Sequence, residues 1–234
     1  MENKKIKTVK LMQTGLLAAL CFVSFTFLQI KIPLPGGDAT SLHVGNAFCV
    51  LAALLIGGWY GGLAGAIGMT ISDLLDPVYM LGAPKTFILK LCIGLIVGLV
   101  AHNYAKIGES NDKKYIAKWS LIAAICGLAF NVVFDPIVGY FYKQYILGQP
   151  QQMAAVLAKL NAITTFINAV VSVILVSFIY NAVRPILTKS GLLGRWKKIT
   201  SQRCDVYLVS DKETSLVNSR LLAELVDAVW RKID

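Results

Sequence analysis

Long apolar runs separated by short polar segments dominate the chain. Four runs contain about 20 mostly apolar residues each, the number that an α-helix needs to cross the hydrocarbon core of a bilayer. They cover residues 11–30, 85–104, about 119–139 and about 159–183. Prolines and glycines in KIPLPGG end the first run, and the polar segment AKIGESNDKK follows the second. The pattern predicts membrane-spanning helices.

The apolar stretch 44–75 decides the number of spans, because its 32 residues are too many for one span and few for two. If it crossed once, the lysine-rich loop 106–118 would lie opposite the basic N-terminus. A hairpin turning near Trp59 and Tyr60 instead brings all basic segments to the cytoplasmic side, as the positive-inside rule requires. We therefore predict an all-α integral membrane protein with six transmembrane helices and cytoplasmic N- and C-termini. The two hairpin helices should have about 16 residues each, and such short helices need tilt or protein shelter.

Composition supports this class. Hydrophobic residues make up 56% of the 234 residues, charged residues 15%, and the mean hydropathy is +0.63, which exceeds what a soluble core of this size can bury. The net charge of +10 lies at the chain ends and in one loop, so it indicates membrane orientation rather than nucleic-acid binding. The five cysteines are scattered without metal-ligand spacing, which favours packing roles. The first apolar run is too long for a signal-peptide core, so we expect a retained first span.

Polar residues inside the spans form the main candidate site. A charge at a helix centre costs roughly 2.5–3.5 kcal/mol on insertion scales, so each polar residue there needs a reason. In the six-span arrangement all fall in the outer half, and we name this set the polar cup. It contains His43, Asn46, Asp73, Lys85, Lys90, Asn131, Asp135, Asn161, Thr165 and Asn168. Helical spacing places Asn131 and Asp135 on one face, and the three polar residues of the last span on another.

The inner halves of the same spans, such as LAALLIGG and IVGLVA, carry no polar side chain. A polar cup with an apolar floor favours a binding protein that needs a partner for inward release, because a channel or carrier would show polar lining on both sides. Several members of the cup also suit purely structural roles. Lys85 can extend to the interface, Lys90 can pair with Asp73 or Asp135, and the Asp-Pro pairs at residues 76 and 135 can end helices.

Glycines recur at intervals of four in the hairpin region. Gly57, Gly61 and Gly65 form one series, and Gly15-xxx-Ala19 is a milder example on the first span. Such small-xxx-small spacing lets helices approach closely in lipid. Internal packing is the simpler interpretation of both, and docking of a separate membrane subunit is the other.

No HExxH, GxSxG or phosphate-binding loop motif is present. We therefore expect that the chain is not an enzyme, that it hydrolyses no ATP, and that it carries no cofactor or metal of its own.

Residues 8–185, above all the block LLIGGWYGGLAGAIGMTISDLL after the HVGN segment, resemble a substrate-binding S component of an energy-coupling-factor (ECF) vitamin transporter. The resemblance implies a bacterial plasma-membrane protein that binds a vitamin from outside beneath a first outer loop acting as a lid. It also implies a transmembrane T subunit and two ATPase subunits, which use ATP and Mg, and toppling of the S component during delivery. The family docks through Ala-xxx-Ala on the first span, which Gly15 and Ala19 approximate here.

The vitamin itself stays open among pantothenate, pyridoxine or hydroxymethylpyrimidine, and riboflavin. The alternatives to an S component are a self-sufficient ion-coupled carrier of a small polar metabolite and a membrane scaffold that transports nothing. We divide the chain into a transmembrane domain, residues 1–185, and a short soluble cytoplasmic tail, residues 186–234. Val217, Leu221, Leu225 and Val229 predict an amphipathic helix in the tail, whose role we leave unassigned.

Overall fold

The computed structural model describes residues 2–190, with side chains from residue 8 onward. The chain divides into two units, Met1–Ile186 and Leu187–Asp234, and the first contains the helical bundle. The amphipathic tail helix predicted from the sequence lies outside the described residues. The main elements are α1 (Glu2–Phe27), β1 (Gln29–Pro33), β2 (Ala39–His43), α2 (Gly45–Ile56), α3 (Gly58–Leu75), α4 (Ala83–Gly98), α5 (Lys113–Phe141) and α6 (Gln151–Lys189). π-Helical turns, Leu99–Tyr104 and Tyr142–Ile146, continue α4 and α5.

Four helical segments of the described chain are long and apolar enough to cross a membrane. They are Thr8–Phe27, Met80–Tyr104, Lys113–Ile146 and Gln151–Lys189. The mostly helical membrane architecture predicted from the sequence is therefore confirmed at this level. Helix α2 is apolar but only 12 residues long, about 18 Å at 1.5 Å per residue, and eleven of its residues are buried.

The predicted hairpin between the first two long runs exists, but its turn lies at Gly57 rather than at Trp59 and Tyr60. Gly57 adopts φ 91°, a backbone conformation that glycine reaches without the steric penalty of a Cβ atom. Its two arms have 12 and 18 residues instead of about 16 each. Trp59 and Tyr60 consequently belong to the first turn of α3, because the glycine before them supplies the reversal.

Helix α3 packs against α1, α2 and α4, and its glycines provide the close approach on each side. A Cβ atom on Gly61 would overlap the backbone of Ala53 in α2, and one on Gly68 would overlap the backbone of α1 at Ala18. A Cβ atom on Gly94 of α4 would likewise overlap Gly62. The interpretation of the hairpin glycines as internal packing positions is thus confirmed for Gly61 and Gly65, whereas a Cβ atom on Gly57 would meet no described atom within 4 Å and this glycine serves the turn.

The small residues of α1 behave differently. Gly15 and Ala19 are both exposed, and a Cβ atom added at Gly15 would meet no other described atom within 4 Å. Leu11, Leu16 and Phe27 on the same helix are 69%, 74% and 72% exposed. Internal packing, the simpler interpretation of Gly15-xxx-Ala19, is therefore wrong, because this face of α1 has no neighbour within the described chain.

The first outer loop folds into a β-hairpin that the all-α prediction missed. β1 and β2 pair antiparallel, with Gln29 opposite His43 and Pro33 opposite Ala39. The turn contains Gly36 and Gly37, whose φ values of 80° and 78° suit glycine. We call residues 29–43 the outer hairpin. Its strands of five residues each are too short for their alternating pattern to stand out beside the long helices.

Candidate binding site

Asp135, near the end of α5, is the centre of the polar cup. One carboxylate oxygen accepts a hydrogen bond from Lys85 Nζ of α4 at 3.0 Å, which also forms an ion pair. The other oxygen accepts from Asn161 Nδ2 and, at 3.1 Å, from Thr165 Oγ1, both on α6. Asp135 therefore joins three helices, and Lys85 does not simply extend to the membrane interface.

The two Asp-Pro pairs have different roles. Asp76 ends α3 as its C-cap residue, and its Oδ1 accepts a hydrogen bond from the Val78 amide at 3.2 Å. Pro136 instead lies inside α5, so the idea that Asp135-Pro136 ends a helix is wrong. Because Pro136 lacks an amide hydrogen, it donates no backbone hydrogen bond within α5. The helix is therefore one hydrogen bond short at the residue that follows Asp135.

Lys90 lies deeper, one turn or more below Lys85 on α4. Its side chain and that of Asn131 are buried, and Lys90 Nζ donates to Asn131 Oδ1 at 3.5 Å. Asp73 is also buried, at 3% exposure, and its carboxylate lies near Thr86 of α4. Lys90 interacts electrostatically with Asp73 and Asp135. A direct ion pair to either carboxylate, the structural alternative for Lys90, is not among the ion pairs of the described residues.

The outer hairpin covers these groups. Asn168 of α6 donates from Nδ2 to the Ser41 carbonyl at 2.8 Å and accepts from the His43 amide at 3.1 Å. Thr40 Oγ1 donates to Asn161 Oδ1 at 3.1 Å. Backbone and side-chain groups of β2 are thus hydrogen-bonded to two polar cup residues of α6, so the hairpin forms the roof of the cup.

Two ion pairs fix the edges of the outer hairpin. Lys31 of β1 pairs with Asp76 at the end of α3, and Asp38, beside the hairpin turn, pairs with Lys143 after α5. The Lys31 side chain is 46% exposed, whereas the Lys143 side chain is 22% exposed. Solvent weakens the first pair more than the second, so the pair at Asp38 is expected to hold the hairpin more firmly.

His43 and Asn46 line the junction of the hairpin with α2. The His43 ring packs edge-on against Phe25 of α1, with centroids 4.6 Å apart. Burial lowers the pKa of His43 to about 3, with nearby Lys90 lowering it further and Asp135 opposing, so the imidazole is neutral near pH 7. Asn46 is 1% exposed, and its side-chain oxygen finds no hydrogen-bond partner among the described residues.

All ten predicted polar cup residues lie in this region or beside it, although they divide into the Asp135 group, the Lys90 group and the roof contacts. Sequence reasoning missed the residues that complete those contacts, namely Thr40, Ser41, Thr86, Lys143 and Asp38. Small polar residues in a loop carry no signal that separates a roof from a solvated turn. Within the described ranges, no group of three or more His, Cys, Asp or Glu side chains is arranged to hold a metal ion.

Comparisons with known proteins agree with one another. The family described as "ECF-type riboflavin transporter, S component" matches residues 5–185. ThiT from Listeria monocytogenes has a similar structure, with a TM-score of 0.55, 19% sequence identity, and coverage of 77% of this chain and 97% of ThiT. The S component for biotin from an ECF-type ABC transporter superposes with a TM-score of 0.51 and 20% identity, covering 76% of this chain and 93% of its own.

A curated relative from Pyrococcus woesei, described as "Uncharacterized protein in gap 3'region", is 32% identical over 88 residues. The match covers 36% of this chain and 57% of the relative. The chain therefore spans a little over half the length of that relative.

Proposed function

The chain belongs to the family of ECF-type riboflavin transporter S components, and from this premise we propose that its polar cup binds a vitamin beneath the outer hairpin. As a member of this family it is an integral membrane, vitamin-binding subunit of an ECF transporter and not an enzyme. The binding residues that we propose are the ten of the polar cup, from His43 to Asn168. Under the outer hairpin they provide donors, acceptors and both signs of charge in an otherwise apolar bundle.

The convergence around Asp135 supports this proposal best. Polar groups within a membrane are costly and mark functional sites by default. A purely structural network would need only the Lys85–Asp135 pair and its α6 partners. The additional buried groups at Lys90 and Asn131 lie beside that network, under a roof whose strand β2 is hydrogen-bonded to α6.

The topology that we propose has six spans, with α2 and α3 as a hairpin and both termini in the cytoplasm. The loop 106–118 and the basic residues after α6 then lie on the cytoplasmic side, in keeping with the positive-inside rule. The membrane is the bacterial plasma membrane, residues 1–185 form the transmembrane domain, and residues 186–234 form a cytoplasmic tail.

For delivery we propose the partners that serve the family. The exposed face of α1 around Gly15 and Ala19 docks the transmembrane T subunit, since small residues allow close helix approach in lipid. Two ATPase subunits bind ATP and Mg, and this chain needs no cofactor of its own. The outer hairpin acts as the lid, and its ion pairs at Asp38 and Asp76 hold it closed.

The family description bears on the vitamin class. The family description names riboflavin, whereas the two solved structures concern other S components, one of them for biotin. We propose a flavin as the first compound to test, with pyridoxine, hydroxymethylpyrimidine and pantothenate next.

Calorimetry on the purified chain in lipid nanodiscs, without ATP or partners, tests the function. We expect submicromolar binding of one vitamin, and at least tenfold weaker binding by Asn131→Leu, because that change leaves Lys90 without its hydrogen-bond acceptor. Asn181→Leu, at an exposed position near the inner end of α6, is the matched control. Binding of no vitamin contradicts the proposal. Uptake into proteoliposomes under an ion gradient alone would favour the secondary carrier instead.

A further inference from the structure

The adjoining ends of α4 and α5 carry an aromatic cluster that lies outside the polar cup. Tyr104, the last residue of the π-helical turn after α4, and Tyr115, in the first turn of α5, both lie against Trp119. Their ring centroids are 5.4 Å and 6.1 Å from that of Trp119. Tyr115 Oη donates to the Ala105 carbonyl oxygen at 3.1 Å, which holds its ring in place, whereas Tyr104 is 75% exposed. Aromatic residues at the end of a span are typical of the interface between lipid and water.

Two lysines of α5 adjoin this cluster, and Lys118 directly precedes Trp119. Lys114 and Lys118 are exposed, and because they are four residues apart they share one face of the helix. The same face continues with Leu121 and Ile125, which are 39% and 48% exposed. Along this face the surface therefore changes from two positive charges to apolar side chains, in the direction that leads into the span Lys113–Ile146.

The described part of the chain provides no counter-ion for these two lysines. Neither Lys114 nor Lys118 forms an ion pair among the described residues. Asp112 lies nearby, but as the N-cap of α5 its carboxylate accepts a hydrogen bond from the Lys114 backbone amide at 2.9 Å. Residues 105–119 contain four lysines and two acidic residues, a net charge of +2. We call Tyr104, Lys114, Lys118 and Trp119 the basic–aromatic patch.

The order of these groups along α5 matches the order of groups in an anionic phospholipid. Ammonium groups offer only hydrogen-bond donors, and the phosphate of a headgroup offers acceptors and negative charge. Lys118 lies about 7.5 Å beyond the first residue of α5, and its apolar stem lets the ammonium group extend to the headgroup level. A water-soluble anionic partner would contact the lysines but gain nothing from Leu121 and Ile125 within the span. The continuous face therefore favours a lipid.

We propose that the basic–aromatic patch binds an anionic phospholipid, with the headgroup phosphate between Lys114 and Lys118 and one acyl chain along Leu121 and Ile125. The ring of Trp119 then lies at the level of the glycerol esters. In the proposed topology this site is in the cytoplasmic leaflet. The positive-inside rule accounts for the sign of the charge in this loop, but not for two lysines on a lipid-facing stripe beside three aromatic rings. The inference does not depend on the vitamin, so it stands even where vitamin binding fails.

A matched pair of lipids tests the inference on the unmodified chain. Native mass spectrometry of the detergent-solubilised full chain compares phosphatidylglycerol with phosphatidylcholine of the same acyl chains. We expect the anionic lipid to bind at least tenfold more tightly, since each basic residue near an anionic lipid surface contributes about fivefold in affinity. Equal affinities overturn the proposal. Equally tight binding of glycerophosphoglycerol, which lacks acyl chains, also overturns it, because the lysines would then serve a water-soluble anionic partner.

Substitutions separate a defined site from a diffuse positive field. Lys114→Gln and Lys118→Gln should each weaken phosphatidylglycerol binding about fivefold, and the double variant about 25-fold. Lys113→Gln is the matched control, because it removes the same charge from the same turn but on a different face of α5, and it should change the affinity less than twofold. An equal effect of all three single substitutions would show a diffuse field and overturn the inference.

Fluorescence quenching locates the acyl chain in nanodiscs. Phosphatidylglycerol with brominated acyl chains should quench Trp119 more strongly than brominated phosphatidylcholine at the same mole fraction. The Trp119→Phe variant identifies the contribution of this residue among the four tryptophans of the chain. The excess quenching should disappear in the double variant of Lys114 and Lys118. Excess quenching of Trp119 that persists there would mean that other residues hold the lipid, and the proposal would be wrong.

Discussion

Asp135 uses both carboxylate oxygens to join α4, α5 and α6. Its partner Lys85 has a side chain that is 16% exposed, and its own is 13% exposed. At this degree of burial, removing one member of an ion pair leaves the other charge poorly solvated, which costs more than the intact pair contributes. Asp135 is therefore both a candidate vitamin-binding group and the residue that joins three helices. Stability measurements on variants test the structural role.

We predict that Asp135→Ala lowers the stability of the chain by about 3 kcal/mol, the lower end of the range for a broken buried pair. The double variant Lys85→Met, Asp135→Ala should recover part of this loss, because no unpaired charge remains. Thermal unfolding in detergent measures both. Lys31→Met, which breaks the more exposed pair with Asp76, is the control and should cost less than about 1 kcal/mol. An equal loss in the single and double variants would contradict the charge argument.

His43 predicts a pH effect on stability. Its pKa in the folded chain is about 3, against about 6.5 for an unperturbed histidine. The unfolded chain therefore gains a proton first, and the stability that neutral His43 contributes is complete above pH 6.5 and falls as the pH drops toward 3. The slope approaches about 1.4 kcal/mol per pH unit.

Replacing His43 tests the direction of this pH dependence of stability. The wild-type unfolding temperature should fall more steeply than that of His43→Gln between pH 7 and pH 4.5, because glutamine does not titrate. Parallel curves would show that His43 gains its proton equally in both states.

Much of the cup was predictable from helical spacing alone. Asn161 and Thr165, four residues apart, both reach Asp135, and Asn168 on the same face reaches the roof. Contacts across long sequence distances were not predictable, since Ser41 and Asn168 are linked only in the fold. The segments LAALLIGG and IVGLVA carry no polar side chain, but His102, the residue directly after IVGLVA, is hydrogen-bonded through Nε2 to the Ala53 carbonyl oxygen at 3.1 Å.

Among the elements, α3 and α4 depend most on small residues. Gly62 and Gly94 face each other so closely that a Cβ atom on either has no room. In an ordinary helix, replacing glycine by alanine is favourable by roughly 0.5–1 kcal/mol. Helix propensity therefore favours alanine at these positions, whereas the packing of α3 against α4 opposes it.

We predict that Gly94→Ala separates α3 from α4 and lowers the yield of monodisperse protein at least severalfold, as size-exclusion chromatography measures. Gly15→Ala is the matched control, since its added methyl group meets no described atom within 4 Å, and it should keep or slightly raise the unfolding temperature. Similar behaviour of the two variants would contradict the assignment of Gly94 to a tight interface.

The outer hairpin is the element whose attachment is mainly polar. Its pair between Asp38 and Lys143 closes one edge, and the hydrogen bonds of β2 to α6 close the other. Opening the roof must break this pair, so the loss of the pair should raise the rate at which a bound vitamin leaves.

Asp38→Asn and Lys143→Gln should each raise the vitamin dissociation rate about fivefold, which corresponds to about 1 kcal/mol. The double variant should match either single one, because the same pair is lost. Stopped-flow displacement gives the rates, and Lys118→Gln is the control. Additive effects of the two substitutions would contradict a shared contact.

At the scale of the whole molecule, the proposed function assigns the polar cup to vitamin binding and the exposed face of α1 to docking of the T subunit. The proposed docking residues Gly15 and Ala19 lie on an outward face, whereas the cup faces the interior of the bundle. Binding and delivery should therefore be separable by mutation.

We predict that Ala19→Trp keeps vitamin affinity within twofold but reduces ATP-driven uptake at least tenfold when T subunit and ATPases are co-reconstituted. Val170→Trp, at a 47% exposed position of α6, adds the same bulk elsewhere and should transport normally. Loss of uptake in both variants would indicate a general effect of surface bulk, and normal uptake in Ala19→Trp would contradict docking through α1.

The burial of α2 has a consequence for biogenesis. Eleven of its twelve residues are covered by other parts of the chain, and at about 18 Å it is shorter than the roughly 30 Å hydrocarbon layer. Such a short segment gains little free energy from contact with lipid alone. Its stable insertion therefore requires the helices that are synthesised after it. Nascent chains that stop after α3 should hold α2 poorly, and those extended through α5 should protect it from proteases and cysteine-modifying reagents.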